Sequence, residues 1–304
     1  MIETKQENKH YIGHFAALFS SVVWGTTFIS TKILLEDFAP VELLFFRFVM
    51  GFLALLIISP HRLKNVSRKQ EITFALAGLS GVTLYFLLEN IALELTMASN
   101  VGVIISVAPF MTAILARMFI KSEEKLSLNF FIGFAVAIVG IALISFNGSA
   151  LELNPAGDLL TVLAAFVWAI YSVLTKKISS FGYPVILTTR RTFFYGIIFM
   201  LPALFFFDFH LGIERFTNIT YLLNILYLGL GASALCFVIW NFAVRRIGVV
   251  KTSVYIYLGP VITVVASALI LNERITVLSG IGTLLTLIGL FLSESKMKSK
   301  SRKS

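Results

Sequence analysis

Ten apolar stretches, near 12–34, 41–59, 71–94, 98–120, 127–147, 156–177, 184–207, 219–244, 249–271 and 276–293, take up almost all of this 304-residue chain. A hydrocarbon layer roughly 30 Å thick is crossed by about 20 such residues in a helix. The turns between the stretches are short, so no length remains for a soluble domain. Charged residues are only 13% of the chain and apolar ones 58%, whereas soluble proteins carry about 25% charged residues. The expected fold is all-α: a polytopic membrane protein of ten transmembrane helices.

The chain is also written twice. Moved on by 144 positions, Val23 to Arg47 lands on Val167 to Arg191, with Trp24 on Trp168, Thr31 on Thr175, Lys32 on Lys176, Pro40 on Pro184, Val41 on Val185, Leu43 on Leu187 and Arg47 on Arg191. With Val23 on Val167 these are eight identities in 25 positions; chance would supply roughly two, and such self-similarity marks an internal repeat. A shift of 151 carries Gly78, Asn90, Ala92 and Pro109 onto Gly229, Asn241, Ala243 and Pro260, and one of 149 carries Glu124, Gly133 and Gly140 onto Glu273, Gly282 and Gly289. Two five-helix repeats are expected, at 12–147 and 156–293. An odd number of crossings makes the second repeat start from the opposite face of the bilayer. The repeats are therefore expected to be inverted, an arrangement of secondary transporters with a substrate site near the midplane where the halves meet.

Lys and Arg report orientation. They gather in the N-terminal segment (Lys5, Lys9), in alternate turns (Arg62 to Lys69, Lys121 and Lys125, Lys176 and Lys177, Arg245 to Lys251) and in the tail from Lys296. The other side has Arg215 and Arg274 beside Glu36, Asp37, Glu152, Asp208 and Glu214. Both termini are expected in the cytoplasm, with the chain in the plasma membrane. The net charge of +9 is spread over short turns, which fits topology signals and anionic lipid of the bilayer rather than a nucleic-acid partner. The first span is too long for a signal-peptide core and lacks a small-residue cleavage pattern, so it is read as retained. Cys236, the one cysteine, sits in an apolar run as a small hydrophobe.

Several chemistries lack their residues. No Gly-Lys dipeptide occurs, so there is no ATP-hydrolysing loop, and uphill transport would draw on a gradient. His10 and His14 share a helix face at the membrane edge without a carboxylate motif, and no nucleophile motif accompanies them. No metal, no cofactor and no enzymatic activity are expected.

Ionisable residues inside a span are costly and mark candidate sites. Arg47 lies seven residues past Pro40, and Glu89 five residues before Glu94; at 1.5 Å per residue they sit roughly 10 and 8 Å below the same surface. They are expected to approach each other or to line one vestibule. A structural bridge, substrate binding and coupling to protons are the open roles, the last requiring a carboxylate that a dry site holds near neutrality. The counterpart of Glu89 is Trp240, so Arg191 has no repeat-related acid, and Arg190 and Arg191 are read as snorkelling toward phosphate. Asn90 and Asn241 offer a shared site or interhelical hydrogen bonds. Trp24, Trp168, Tyr85, Trp240, Tyr255 and Tyr257 could wall an aromatic cavity. Pro109 and Pro260 are expected to kink the fourth and ninth helices, because each removes an amide donor. Gly133 with Gly140, and Gly282 with Gly289, read as close-packing stripes.

A tryptophan in helix one, the proline and arginine opening helix two, the Ala92-Leu93 region after Asn90, the central proline of helix four and the Glu124 or Glu273 that follows, all doubled, resemble the EamA branch of the drug/metabolite transporter superfamily. That resemblance implies a bundle with helices three, four, eight and nine around a central cavity, one, two, six and seven as moving pairs, and five and ten at the periphery. It also implies alternating-access export of a small-molecule substrate such as an amino acid. The superfamily's sugar-phosphate or nucleotide-sugar exchangers are one alternative, although Arg47 and Arg191 alone are few basic residues for a phosphate. A non-transporting membrane sensor and a membrane-embedded lipid enzyme are alternatives of other classes. The oligomeric state is unspecified by any of these residues.

Overall fold

The computed structural model describes residues 2–95, 98–120, 126–145, 154–207, 209–262, 265 and 277–295. Glu124, Glu273 and the basic tail lie outside the described residues. Among the described residues the ordered structure is helical throughout. The helices are α1 (Ile2–Leu35), α2 (Pro40–Ile58), α3 (Arg68–Leu95), α4 in two pieces (Ala98–Ile105 and Ala108–Phe119), α5 (Leu128–Ser145), α6 (Pro155–Ser179), α7 (Val185–Phe206), α8 (Ile219–Ile247), α9 (Val249–Ile262) and α10 (Val277–Ser295).

Among the described residues, five of them, over Tyr11–Leu35, Pro40–Ile58, Arg68–Leu95, Pro155–Ser179 and Ile219–Ile247, are long and apolar enough to cross a bilayer, and shorter apolar segments accompany them. Large side chains on the outer faces stay bare, among them Ile57, Phe205, Phe206 and Phe291. Contiguous exposed apolar surface of this kind is unusual on a soluble monomer and is what lipid covers. The protein is a multi-pass membrane protein.

Helix starts follow local chemistry. Asn154 accepts from the amides of Ala156 and Gly157, ahead of Pro155, whose missing N–H costs nothing at a first helical position. Asn218 caps α8 through the amide of Thr220. Ser67 and Gln70 exchange side-chain and backbone bonds at the head of α3, a reciprocal capping box. Gly248, at φ 88°, makes the sharp joint between α8 and α9, in a region that glycine enters without a Cβ clash.

Two irregularities recur at repeat-related places. α3 widens into a π-helix over Leu79–Leu84, and α8 does so over Tyr227–Leu235. α4 breaks at Ser106 and Val107, and α9 tightens to a 3-10 turn over Tyr255–Tyr257. Those breaks fall just before Pro109 and Pro260, where the ring meets the carbonyl one turn back. Pro109 thus opens the second piece of α4 rather than bending a continuous helix.

The glycine stripes of α5 and α10 meet each other. A Cβ on Gly133 would collide with the carbonyl of Gly289, and one on Gly140 with the carbonyl of Gly282. Small residues here let two helical backbones touch. The pairing runs first-to-last and last-to-first, so α5 and α10 are antiparallel. They form a two-helix unit to one side of the remaining bundle.

Candidate functional site

Along the bundle, α2 and α4 begin where α1 and α3 end, and α6 and α8 begin at that same end. Near the middle and toward this end lies a cavity of about 80 Å³. Its wall takes Ser21, Trp24, Gly25, Thr27 and Phe28 from α1, Arg47 from α2, Tyr85, Phe86 and Glu89 from α3, Gly102, Ile105, Ser106 and Ala108 from α4, Trp168 from α6, and Ile256, Gly259 and Pro260 from α9. Ile105 and Ile256, repeat-related residues one turn before the two prolines, both reach it.

Arg47 and Glu89 line this single cavity. Arg47 is buried; its Nε donates to Ser233 Oγ in the π-helix of α8 at 3.0 Å, and its guanidinium lies 4.2 Å from the centre of the Phe86 ring. No protein acceptor meets its two Nη groups among the described residues. Glu89 accepts from the Tyr85 hydroxyl at 3.0 Å. No direct ion pair joins the two charges among the described residues, so they face the same space rather than neutralising each other in contact. Charges without a mutual salt bridge are expensive at membrane depth, and a ligand carrying the complementary pair would offset that cost.

Aromatic rings form part of the remaining wall. Trp24 and Trp168, the repeat partners, meet edge to face with centroids 5.5 Å apart, and Tyr85 lies 4.8 Å from Trp168. Trp24 donates to the carbonyl of Ala232 at 2.9 Å, again in the π-helix. The indole N–H of Trp168 and the hydroxyl of Ser21 are buried without a hydrogen-bond partner. Each orphaned donor or acceptor costs roughly 1–3 kcal/mol unless something supplies the missing bond.

Other expected site residues lie outside this lining, each for a visible reason. Trp240 stands behind Trp24, with centroids 4.9 Å apart, so α1 takes the place expected of α8 in the wall. Asn90 donates to the carbonyl of Pro40, fastening α3 to α2. Asn241 accepts from Tyr171 and donates to Thr189, binding α8 to α6 and α7. Tyr255 bonds His14 at 2.9 Å, linking α9 to α1, and Tyr257 is fully buried in the core. Pro109 is buried beside the cavity, whereas Pro260 lines it.

Among the described residues, two arginine–carboxylate pairs fasten the ends. Arg215 donates to buried Glu42 at 2.8 Å and covers the Phe38 ring. At the opposite end Arg191 grips Glu71 with two bonds, of 2.6 and 3.1 Å, and Tyr195 donates to the same carboxylate at 2.7 Å. Arg191 thus has an acid, from α3 rather than from its repeat-related position, and the snorkelling expectation gives way to this pair. Arg190 donates to the carbonyls of Ser59 and His61 beyond the end of α2.

The EamA-like transporter family matches the chain twice, over residues 11–146 and 155–294. The chain belongs to the EamA-like transporter family. An uncharacterized transporter of Archaeoglobus fulgidus is 27% identical over 290 residues, 93% of this chain and 97% of its own length. A probable amino-acid metabolite efflux pump of Escherichia coli is 26% identical over 293 residues, covering 91% and 93%. A probable terminal-alkyne amino-acid exporter of Streptantibioticus cattleyicolor is 25% identical over 293 residues, covering 95% and 96%. One solved crystal structure superposes with a TM-score of 0.75 at 18% identity, over 95% of this transporter and 97% of that chain, a likeness of fold.

Sequence reasoning missed apolar lining residues of this EamA-like transporter's cavity, Phe28, Phe86, Ile105 and Ile256 among them, and small polar ones: Ser21 and Ser106 in the lining and Ser233 bonded to Arg47. Ser21 carries a readable signal, because three positions before Trp24 it shares that residue's helix face. Ser233 had none, because its aim depends on a π-helix that no composition announces.

Proposed function

We propose that this transporter exports small zwitterionic metabolites, amino acids foremost, across the plasma membrane by alternating access between two inverted five-helix repeats, with both termini in the cytoplasm. The observation that carries the substrate class is the cavity shared by one guanidinium and one carboxylate, with Trp24, Phe28, Tyr85, Phe86 and Trp168 among its otherwise small and uncharged lining. Arg47 would take an α-carboxylate through its two Nη groups, in the forked geometry that guanidinium and carboxylate share. Glu89 would take the ammonium, and Trp24, Trp168 and Phe28 the side chain. Arg47 is the one basic residue among the described lining residues, which favours a zwitterion over a sugar phosphate. The names of two relatives, an amino-acid metabolite efflux pump and an amino-acid exporter, agree with this reading.

The antiparallel α5–α10 pair supports the inverted arrangement. When Gly133 meets the counterpart of Gly140, and Gly140 the counterpart of Gly133, the contact is self-complementary about a two-fold axis across the helices. The meeting of Trp24 with its own counterpart Trp168 fits the same axis.

The test is flux into proteoliposomes of a labelled panel of amino acids, organic acids, amines and sugar phosphates, with and without a pH gradient. Amino acids should move, and those lacking either head group should not. Glu89→Gln separates two roles: loss of flux at every pH assigns Glu89 to the ammonium, whereas retained flux without its pH dependence assigns it to a proton. Unchanged flux and unchanged pH response would remove Glu89 from the mechanism, and flux of sugar phosphates alone would overturn the substrate class.

A further inference from the structure

A second, much smaller cavity of about 10 Å³ lies at the other end of the bundle, between α6, α7 and α8. That is about the room one water needs. Its lining is polar, with Thr175, Thr188, Thr192, Tyr183, Asn241 and Arg245 around it. The first repeat has hydrocarbon where this wall has two of its threonines, Leu44 against Thr188 and Phe48 against Thr192, and Leu34 stands against Ile178. Leu34, Leu44 and Phe48 are fully buried in packed core. Hydroxyls therefore replace a leucine and a phenylalanine in one half only, around the one of the two spaces that is not filled. The hydroxyls of Thr188 and Thr192 bond back to their own helix, which satisfies them while the space is dry and leaves lone pairs for water when it is not.

The two cavities share α6. Trp168 borders the larger and Thr175 the smaller, seven residues apart, or roughly 10 Å along the helix. Tyr171 fills the interval. Its ring lies tilted against Trp168 with centroids 5.1 Å apart and presses on Gly81 in the π-helix of α3, where any Cβ would collide with it. Its hydroxyl donates to Asn241 at 3.1 Å, Asn241 donates to Thr189 at 3.0 Å, and Thr189 donates to the carbonyl of Val185 at 2.9 Å. This side chain is thus held by α3 and α8, and through Asn241 by α7, on the stretch of α6 between the two spaces.

We propose that the polar cavity is the closed end of a second access route to the Arg47–Glu89 site, and that Tyr171, latched by Asn241 and seated on Gly81, is the door between them. The inference rests on the transport reading above, but not on the substrate named there. Alternating access then means that the aromatic cavity loses volume as the hydroxyl-lined one gains volume and water.

Thiol labelling in membrane vesicles tests this without any substrate. In a Cys236→Ala background, Thr188→Cys reports on the polar cavity and Thr27→Cys on the aromatic one, each treated with a membrane-impermeant maleimide from one face at a time. Thr188→Cys should label slowly and from one face, and Thr27→Cys from the other. Adding Tyr171→Phe, which keeps the ring and removes the hydroxyl, should raise the Thr188→Cys rate about tenfold and lower the Thr27→Cys rate. Asn241→Ala should do the same. Rates that rise together at both sites indicate loosened packing and overturn the door; rates unchanged by both substitutions, or labelling of both sites from one face, overturn the route. A flux panel that fails for amino acids while the reciprocal labelling persists would sink the substrate class and leave this proposal standing.

Discussion

α2 and α7 are repeat counterparts, and they have been put to different uses. α2 carries two charges, Glu42 and Arg47, and both are buried. α7 carries Arg190 and Arg191; Arg191 keeps 37% of its side chain exposed while paired with Glu71. Arg47 and Arg191 are the same residue of the repeat, yet one lines the aromatic cavity and the other clasps the far end of the bundle. Around them the neighbours have diverged in the matching sense: Leu44 and Phe48 pack α2 into core, whereas Thr188 and Thr192 line a polar space. Equivalence by descent does not fix the chemistry of a side chain here. Its solvent does, because a charge taken out of water must be answered by a partner or a ligand, and a charge left near water need not be.

The comparison breaks most visibly at Glu42. Its carboxylate receives Arg215, the amide of His210 and the amide of Ala39, and the counterpart residue in α7 is Ile186, with no such role. Glu42→Ala leaves a guanidinium against the Phe38 ring and two amides without their acceptor. Removing one member of a buried pair costs roughly 3–5 kcal/mol, so the variant should show the largest fall in thermal midpoint of any charge substitution on the two helices, read by tryptophan fluorescence in detergent. A midpoint within a degree or two of the parent would mean that this end is wet and the burial argument wrong.

Arg47→Ala comes next and strikes transport instead of stability. Losing one side of a buried charged contact costs about 2–5 kcal/mol, and 1.4 kcal/mol is tenfold, so amino-acid flux should fall by roughly 30-fold or more. Arg191→Ala should change it by about threefold or less. Arg47→Lys keeps the charge and loses the fork, and an intermediate flux is expected. Equal losses at Arg47 and Arg191 would erase the distinction between a ligand-facing and a fastening arginine.

Much of this was legible in the chain. The apolar runs, the doubled landmarks and the depth match of Arg47 with Glu89 follow from spacing alone, because helix rise and bilayer thickness are fixed lengths. The packing stripes were legible too, since a glycine every seven residues in an apolar helix has few uses besides close approach. What spacing could not reveal was which wall each ring belongs to. Trp240 and Asn241 read as cavity residues because their repeat positions are prominent, but Trp24 leans across from α1 and covers α8, a choice made by packing between the two halves. The Glu71 partner of Arg191 was hidden for a similar reason. Looking for the acid at the repeat-related position found Trp240, while the true partner comes from the first turn of α3, where a carboxylate ordinarily does no more than favour a helix start.

That pair yields the finest prediction. Glu71 and Arg191 are bidentate and joined by Tyr195, yet both side chains remain partly exposed, at 26% and 37%. Exposed pairs contribute about 0.2–1 kcal/mol, and salt screens them. A double-mutant cycle with Glu71→Ala and Arg191→Ala, read as unfolding in detergent, should give a coupling in that range at low ionic strength and less at 1 M salt. If Glu71–Arg191 instead couples by several kcal/mol and ignores salt, this end is as dry as the Glu42 end, and the contrast between α2 and α7 is one of partners rather than of solvent. The Tyr195→Phe variant sharpens the choice: removing one hydroxyl from a wet carboxylate should cost little, because water takes the vacated position, whereas in a dry cluster the orphaned lone pair would add about 1–3 kcal/mol.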